Sequence, residues 1–294
     1  MNKVKVTIAV IITCYNRKEK TLTCLKNLMN QDGIENVDLD VYLVDDGSTD
    51  GTGDAVKKNF PQVNVLHGDG TLYWNGGMRF AFAEAMKNKY DYYLWLNDDT
   101  FIYPDSLKLL IETSNTLKQQ KRNDVIVVGT IKDIDTEDVN YGGFVQKSRL
   151  QLLKFIQLEC KTEPQLCDTF NGNVVLIPGK IVQTIGNMNP QYSKMQMGDL
   201  DYGLRAKYAG FESWVAPGFI GECASNSTEG TLFDKKLRFK ERIKIMKTPH
   251  GVPPAKEWMV FTKLHAGFLW PFYWIRTIVR LIFPWTYLLF RKPE

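Results

Sequence analysis

The 294-residue chain is 44% hydrophobic and 24% charged, an ordinary globular composition that excludes a disordered, collagen-like or low-complexity polymer. That length accommodates one large domain with a substantial core, or two small ones. The net charge of +4 conceals an asymmetry, because residues 1–234 sum to −6 and residues 235–294 to +10; such a basic tail usually meets nucleic acid or anionic lipid. Cys14, Cys24, Cys160, Cys167 and Cys223 show no paired metal spacing, so reduced thiols in a cytosolic protein are expected. The apolar run near the N-terminus is cut short by Thr13, Asn16 and Arg17 and has no small-residue cleavage site. It reads as a buried strand rather than a signal peptide.

In chain order, Val6–Ile12 is a β-branched apolar run expected to form a buried strand, and Lys18–Gln31 carries Leu22, Leu25, Leu28 and Met29 at helical spacing. Val41–Val44 is a second strand, Thr52–Phe60 a helix and Val63–Leu66 a third strand. Gly76–Lys89 is a helix, Tyr92–Leu96 a fourth strand, and Pro104 is expected at the first position of the next helix. Val125–Gly129 is a fifth strand, followed by a turn at Tyr141-Gly142-Gly143 and a segment, Gln146–Leu158, compatible with strand or helix. Val174–Ile177 is an apolar run, Pro178-Gly179 turns into a short helix, Asp199–Ala209 is a helix closed by Gly210, and Phe211–Ala216 is a last strand. Strands alternating with helices predict an α/β fold with a mostly parallel central sheet. With no linker, residues 1–230 are expected to form one domain.

Three acidic clusters fall at strand-to-helix junctions, where such sheets bind ligands. Asp45-Asp46-Gly47-Ser48-Thr49-Asp50 follows the second strand, Asn97-Asp98-Asp99 the fourth, and Asp199-Leu200-Asp201 opens a helix. Each alone also suits a solvated turn or helix cap. The adjacent Asp98 and Asp99 repel one another and need a compensating cation, which a hard divalent ion shared with substrate phosphates would supply. Asp201 and Arg205 are four apart and can pair on a helix face. A dinucleotide-dependent dehydrogenase is excluded because no G-x-G-x-x-G follows the first strand.

The ordered set Ile11-Ile12-Thr13-Cys14-Tyr15-Asn16-Arg17, VDDGSTDGT at 44–52, NDDT at 97–100 and GDLDYGLRAKYAG at 198–210 resembles family 2 glycosyltransferases of the GT-A fold. The segments Gly70–Arg79 and Thr248-Pro249-His250-Gly251 look like a subgroup of bacterial rhamnosyltransferases and surface-polysaccharide enzymes. The resemblance implies a GT-A nucleotide-binding domain over residues 1–230. It implies an inverting transfer of sugar from a nucleotide-diphosphate donor (a UDP- or dTDP-sugar) to a glycan or lipid-linked acceptor, with Mn2+ or Mg2+ as cofactor. Thr13, Tyr15, Asn16 and Arg17 would line the nucleotide pocket. Asp46 would contact base or ribose, Asn75 and Gly76 would lie near the donor sugar, and Asp98 would touch ribose or sugar. Asp99 would hold the metal, and Asp199 would be the catalytic base, with Asp201 and Arg205 supporting it.

Two departures from the family pattern stand out. Gly198 replaces a common glutamate, and the region Gly218–Cys223 holds no histidine. They motivate an alternative, a nucleotide-sugar-binding or scaffold protein with a degraded site. Cys223 in the histidine's place would be a soft ligand for a hard metal.

Residues 231–294 are expected to form a helical, basic and aromatic extension. Residues 258–290 hold 11 aromatics and four of the seven tryptophans. Phe268–Phe290 is long enough to span a bilayer, yet it carries Pro271, Arg276, Arg280 and Pro284, and mid-bilayer arginine costs about 3 kcal/mol. An amphipathic helix lying at the inner face of the cell membrane is the expectation, in a cytoplasmic, peripheral protein. The alternative is packing on the catalytic domain or within a homo-oligomer. No nucleic-acid recognition motif is present.

Overall fold

The structure, a computed structural model, describes residues 5–121, 123–148, 151–193, 197–225 and 255–282, with Arg238, Lys240, Glu241 and Lys244 between the last two segments. Thr248–Gly251, Pro284 and the side chain of Arg280 lie outside the described residues.

The spine of the fold is β1 (Val6–Cys14), which pairs in parallel with β2 (Val37–Asp45) on one side and β4 (Tyr92–Leu96) on the other. Beyond β2 lies β3 (Asn64–His67), also parallel. Side chains alternate along a strand, and β1 feeds two cores accordingly. Ile8, Val10 and Ile12 point to one face, and Ala9 and Ile11 to the other. Helices α1 (Lys18–Met29), α2 (Thr52–Asn59) and α4 (Ser106–Lys121) supply the first core through Cys24, Leu25, Leu28, Val56, Leu107 and Leu110. Helix α3 (Tyr73–Ala85) supplies the second through Met78, Ala81, Phe82 and Ala85. Each fully buried leucine or phenylalanine contributes about 1.5–3 kcal/mol.

The expected mostly parallel sheet is present, with one reversal that matters for the site. Counting inward from the β3 edge, the order runs β3-β2-β1-β4, then β12 (Val174–Pro178), β6 (Val125–Asp133), β13 (Glu212–Cys223) and β10 (Gln165–Cys167), with β5 (Phe101–Ile102) and β7 (Val139–Tyr141) attached at the side. Strand β12 (Val174–Pro178) is antiparallel to both β4 and β6 (Val125–Asp133). Its first residue, Val174, therefore sits opposite Leu96, the last residue of β4, so the chain just before β12 lies at the carboxyl edge of β1, β2 and β4.

Several expected boundaries differ. The fifth strand runs on to Asp133, and the last strand, β13 (Glu212–Cys223), is twice the expected length because register shifts near Phe219 let it bend and continue alongside β6. Pro104 stands two residues ahead of α4 in a turn rather than at its first position. Gln146–Leu158 is neither one strand nor one helix. Strands β8 (Gly143–Gln146) and β9 (Phe155–Gln157) form a hairpin, joined by β11 (Thr169–Phe170) into a small second sheet. Strand β10 (Gln165–Cys167) forms the outer edge of the main sheet. Helix α5 (Gly179–Ile185) follows β12, and α6 (Gly198–Tyr208) packs beside α3.

In the tail, α7 (Ala255–His265) and α8 (Trp270–Ile282) follow one another across a short 3-10 turn. Helix α7 is packed on the α/β body, where Phe261 joins Tyr192 and Leu204 in a third apolar cluster. Among the described residues, no helix is long and apolar enough to cross a membrane. All five cysteines are free.

Helix α3 approaches β1 so closely that a Cβ on Gly77 would strike the Thr13 side chain. Gly77→Ala should therefore destabilise the protein by about 1–3 kcal/mol through overpacking, read as a lower urea midpoint. An unchanged midpoint would contradict this approach of α3 to the sheet.

Candidate active site

At the carboxyl edge of the sheet the three acidic clusters are tied to one another. Asp46, just past β2, accepts hydrogen bonds from the backbone N–H of Gly70 (2.9 Å, Oδ1) and Tyr73 (2.9 Å, Oδ2), so its carboxylate fixes the loop that starts α3. The next residue, Trp74, donates its indole Nε1–H to Asn97 Oδ1 at 2.7 Å. Asn97 in turn donates its backbone N–H to the Asn173 carbonyl (2.9 Å), and Asn173 Nδ2 reaches Thr100 Oγ1 at 3.4 Å. Asp199 accepts the Gly172 N–H at 3.0 Å and its neighbour Leu200 N–H at 2.8 Å. Gly172 is where Trp74 and Asp199 meet: a Cβ there would lie 2.6 Å from the Trp74 ring and 3.3 Å from Asp199 Cβ.

An aromatic cluster holds this chain of contacts in place. Trp95, fully buried on β4, packs at 6.3 Å from Trp74, 5.9 Å from Phe82, 6.4 Å from Phe170 and 4.8 Å from Tyr202. It thereby fastens α3, β11 and α6 to the strand that carries Asp98 and Asp99.

The cation between Asp98 and Asp99 is Arg17. Its Nη1 lies 3.1 Å from Asp98 Oδ1 and 2.7 Å from Asp99 Oδ2. Thr21 adds a 3.3 Å hydrogen bond to Asp98 Oδ2. Burial, opposed by Arg17 and reinforced by Asp99, pushes the Asp98 carboxyl up to about 7. The donor set suits a hard divalent ion, because two carboxylate oxygens converge on one positively charged point. Among the described residues no group of three His, Cys, Asp or Glu side chains gathers. A metal held here would take further ligands from diphosphate oxygens and water. Cys223 lies close enough for Asp99 to act on it, and burial, then Asp99, pushes its thiol up to about 12. Its Sγ donates to the Ala224 carbonyl, and a soft sulfur is a poor match for a hard metal.

The other expected site residues fall into two groups. Tyr15 is exposed at the mouth of β1, and Asn16, at φ 50°, accepts the Thr49 N–H at 2.7 Å while its own N–H meets Ser48 Oγ at 2.9 Å. Asn16 thus stitches the first acidic loop to the end of β1. Thr13, Asn75 and Gly76 are instead buried, Thr13 beneath α3 and the other two within its first turns. Asn75 explains one departure from the family pattern: its carboxamide oxygen occupies the space that a Cβ on Gly198 would need.

Asp199 lies in the first turn of α6, where the helix favours a negative charge. Burial raises its carboxyl above the ordinary range, against the amides of Gly172 and Leu200 that favour the ionised form. Such a group accepts a proton more readily than a free carboxylate. Among the described residues, three of the four non-glycine residues at positive φ, Asn16, Tyr73 and Met197, border these clusters. Left-handed backbone at a bulky residue costs about 1–2 kcal/mol and concentrates at functional sites. Trp74, Asn97 and Gly172 carry much of the geometry, and the sequence assigns none of them a role; the signal for the first two is that they lie inside segments that match the family pattern.

A family model for glycosyl transferase family 2 matches residues 9–173, more than half of the chain, and the chain belongs to that family. An uncharacterised glycosyltransferase of Rickettsia felis is 28% identical over 197 residues, covering 66% of this chain and 30% of that protein. The chain thus spans about a third of the length of such curated relatives. Among solved structures, S. aureus TarS superposes with TM-score 0.54 at 13% identity, over 88% of this chain and 42% of that one. The mannosyltransferase PcManGT of Pyrobaculum calidifontis, solved in complex with GDP-Man and Mn2+, superposes with TM-score 0.53 at 15% identity, over 88% of this chain and 65% of that one. The fold is the GT-A type.

The contact between Asn75 and Gly198 gives a direct check. Gly198→Ala should cost about 1–3 kcal/mol, and the double variant Asn75→Ala/Gly198→Ala should cost less than the sum of the singles in urea unfolding. Strict additivity would contradict the contact.

Proposed function

We propose that this chain is an inverting, metal-dependent glycosyltransferase. It moves a sugar from a nucleoside-diphosphate donor, a UDP- or dTDP-sugar, to a hydroxyl of a glycan or lipid-linked acceptor in surface-polysaccharide synthesis. The observation that carries this reading is the convergence of two carboxylates on one cation directly after Asn97, in a chain of contacts that runs from Asp46 through Trp74 and Asn97 to the 172–173 loop and ends on a raised-pKa carboxylate, Asp199. The family membership and a structural neighbour seen with GDP-Man and Mn2+ support it.

In this reading the segments after β1 and β2, with Tyr15, Asn16 and Arg17, receive the nucleotide, and Asp46 shapes the pocket through the loop it holds. Asp98 meets the ribose or sugar, and Asp99 keeps the diphosphate end. A divalent ion there, Mn2+ or Mg2+, supplies Lewis-acid stabilisation of the leaving diphosphate. Asp199 takes the proton of the acceptor hydroxyl as that oxygen attacks the anomeric carbon and the bond to the diphosphate breaks. One base on the face opposite the leaving group means one in-line displacement and inversion. The leaving group needs no protonated acid, unlike hydrolysis by a carboxylate pair.

The tail fits a peripheral position at the inner face of the membrane. Tyr273 faces inward, its hydroxyl accepting the Leu152 N–H at 3.1 Å, while Leu264, Phe268, Phe272, Ile275 and Val279 are exposed, Phe268 by 90%. Phe272, Ile275 and Val279, three and four apart on α8, share one side of that helix, with Arg276 exposed beside them. An apolar row in a segment of net charge +10 suits the headgroup region of an anionic bilayer.

Asp99→Ala should abolish transfer while leaving the urea midpoint near that of the unaltered protein. Full activity of this variant in EDTA would remove the metal role. Asp199→Asn should keep donor binding by calorimetry and lose at least ~100-fold in turnover. Binding without turnover in the unaltered protein, across UDP- and dTDP-sugars with Mn2+, would instead mark a nucleotide-sugar-binding protein.

The full chain should co-sediment with phosphatidylglycerol vesicles. Phe268→Ser/Phe272→Ser should weaken this about 10-fold or more, since each buried phenylalanine contributes on the order of 1.5–3 kcal/mol. No sedimentation, with the tail buried in a dimer, would overturn the membrane assignment.

A further inference from the structure

The first turn of α6 is gripped from two sides. Asp199 faces the 171–173 loop through the Gly172 N–H. Asp201 is two residues on, about 200° around the helix, and faces the opposite way into the C-terminal helix. It is fully buried, and three donors hold it: Arg205 Nε at 2.7 Å on Oδ2, and Tyr192 OH at 3.2 Å and His265 Nε2 at 2.9 Å on Oδ1. Arg205 is itself fixed by the carbonyls of Ile185 (2.8 Å) and Asn187 (3.0 Å).

His265 stands 64 residues from Asp201, at the end of α7. Its ring is buried, with Phe261 at 4.6 Å and Tyr208 at 5.7 Å. The earlier part of α7 is anchored separately, because Glu257 Oε1 accepts both the N–H and the hydroxyl of Ser193, at 3.0 and 2.7 Å. The ring is therefore not needed merely to keep α7 attached. Its Nε2–H completes the acceptor demand of a carboxylate withdrawn from water. Met197, at φ 71° ahead of α6, provides no side-chain cap, so the orientation of the first turn depends on Asp199 and Asp201.

We propose that His265 is a positioning residue for the reaction: through Asp201 it sets the rotation of α6 and thereby the location of the Asp199 carboxylate. This rests on the assignment of Asp199 as the base. It also makes the C-terminal extension a structural part of the catalytic site, since a helix far outside the acidic motifs supplies the contact.

The test uses the full chain with His265→Phe, which keeps a ring and removes the donor, and His265→Gln, whose side-chain amide can donate to Asp201. Release of nucleoside diphosphate is followed with UDP-glucose, UDP-N-acetylglucosamine and dTDP-rhamnose, each with Mn2+. His265→Phe should lower kcat about 10- to 100-fold, the scale of a small misplacement of a reacting group, with donor KM within about 2-fold. His265→Gln should recover most of that loss. Amide hydrogen exchange over residues 199–205 should rise in His265→Phe and return in His265→Gln. Unchanged kcat in His265→Phe overturns the proposal. So does a parallel loss in kcat and KM, with a lowered unfolding midpoint that glutamine does not restore, because that pattern marks a purely structural contact. Normal turnover in Asp199→Asn overturns the base assignment itself, whatever the His265 variants do.

Discussion

Carboxylates withdrawn from water at the carboxyl edge of the sheet are each matched by donors from a distant segment, and those donors are what join the segments into a site. Asp46 holds the loop that begins α3, Trp74 in the first turn of α3 holds Asn97, and Asn97 holds the loop before β12 whose Gly172 amide holds Asp199. A buried carboxylate left without such partners would cost several kcal/mol. The same requirement that makes the acids expensive therefore makes their mutual geometry unique.

The sheet makes this matching possible by one reversal. With β12 antiparallel to β4, the loop before β12 is delivered to the edge where β1, β2 and β4 end. A parallel strand would have presented its own carboxyl end there and carried residues 171–173 to the far edge. Trp95 then locks the arrangement from beneath, touching α3, β11 and α6 through Trp74, Phe82, Phe170 and Tyr202. The charge balance at the site is local as well. Arg17, from the start of α1, neutralises the adjacent Asp98 and Asp99, yet burial still leaves Asp98 with a carboxyl shifted to about 7.

Much of this was legible in the chain. The β-branched run at Val6–Ile12 and the apolar stripe of α1 follow from periodicity alone, and the acidic clusters followed the strands that the pattern predicted. Periodicity falls short where an element is defined by pairing rather than by its own face. The β8–β9 hairpin is made of strands of four and three residues with mixed burial, too short for a pattern. The extension of β13 needs bulges that only the neighbouring β6 explains. Trp74, Gly172 and His265 carry the site through contacts across 23, 27 and 64 residues of sequence, and no local spacing encodes such distances. Gly198, where the family pattern has a glutamate, leaves room for the Asn75 carboxamide. On α8 Tyr273 packs inward while Phe272, Ile275 and Val279 face outward.

The proposed chemistry depends on a single carboxylate facing the acceptor, and this has a stereochemical consequence that no binding or mutational result can replace. Proton NMR of the sugar first formed when the full chain consumes its nucleotide-sugar donor, with Mn2+ and before mutarotation, reads that consequence directly. One displacement with Asp199 as base predicts the anomer opposite to that of the donor. First appearance of the donor's own anomer would require a double displacement through a second nucleophile, and would contradict the account.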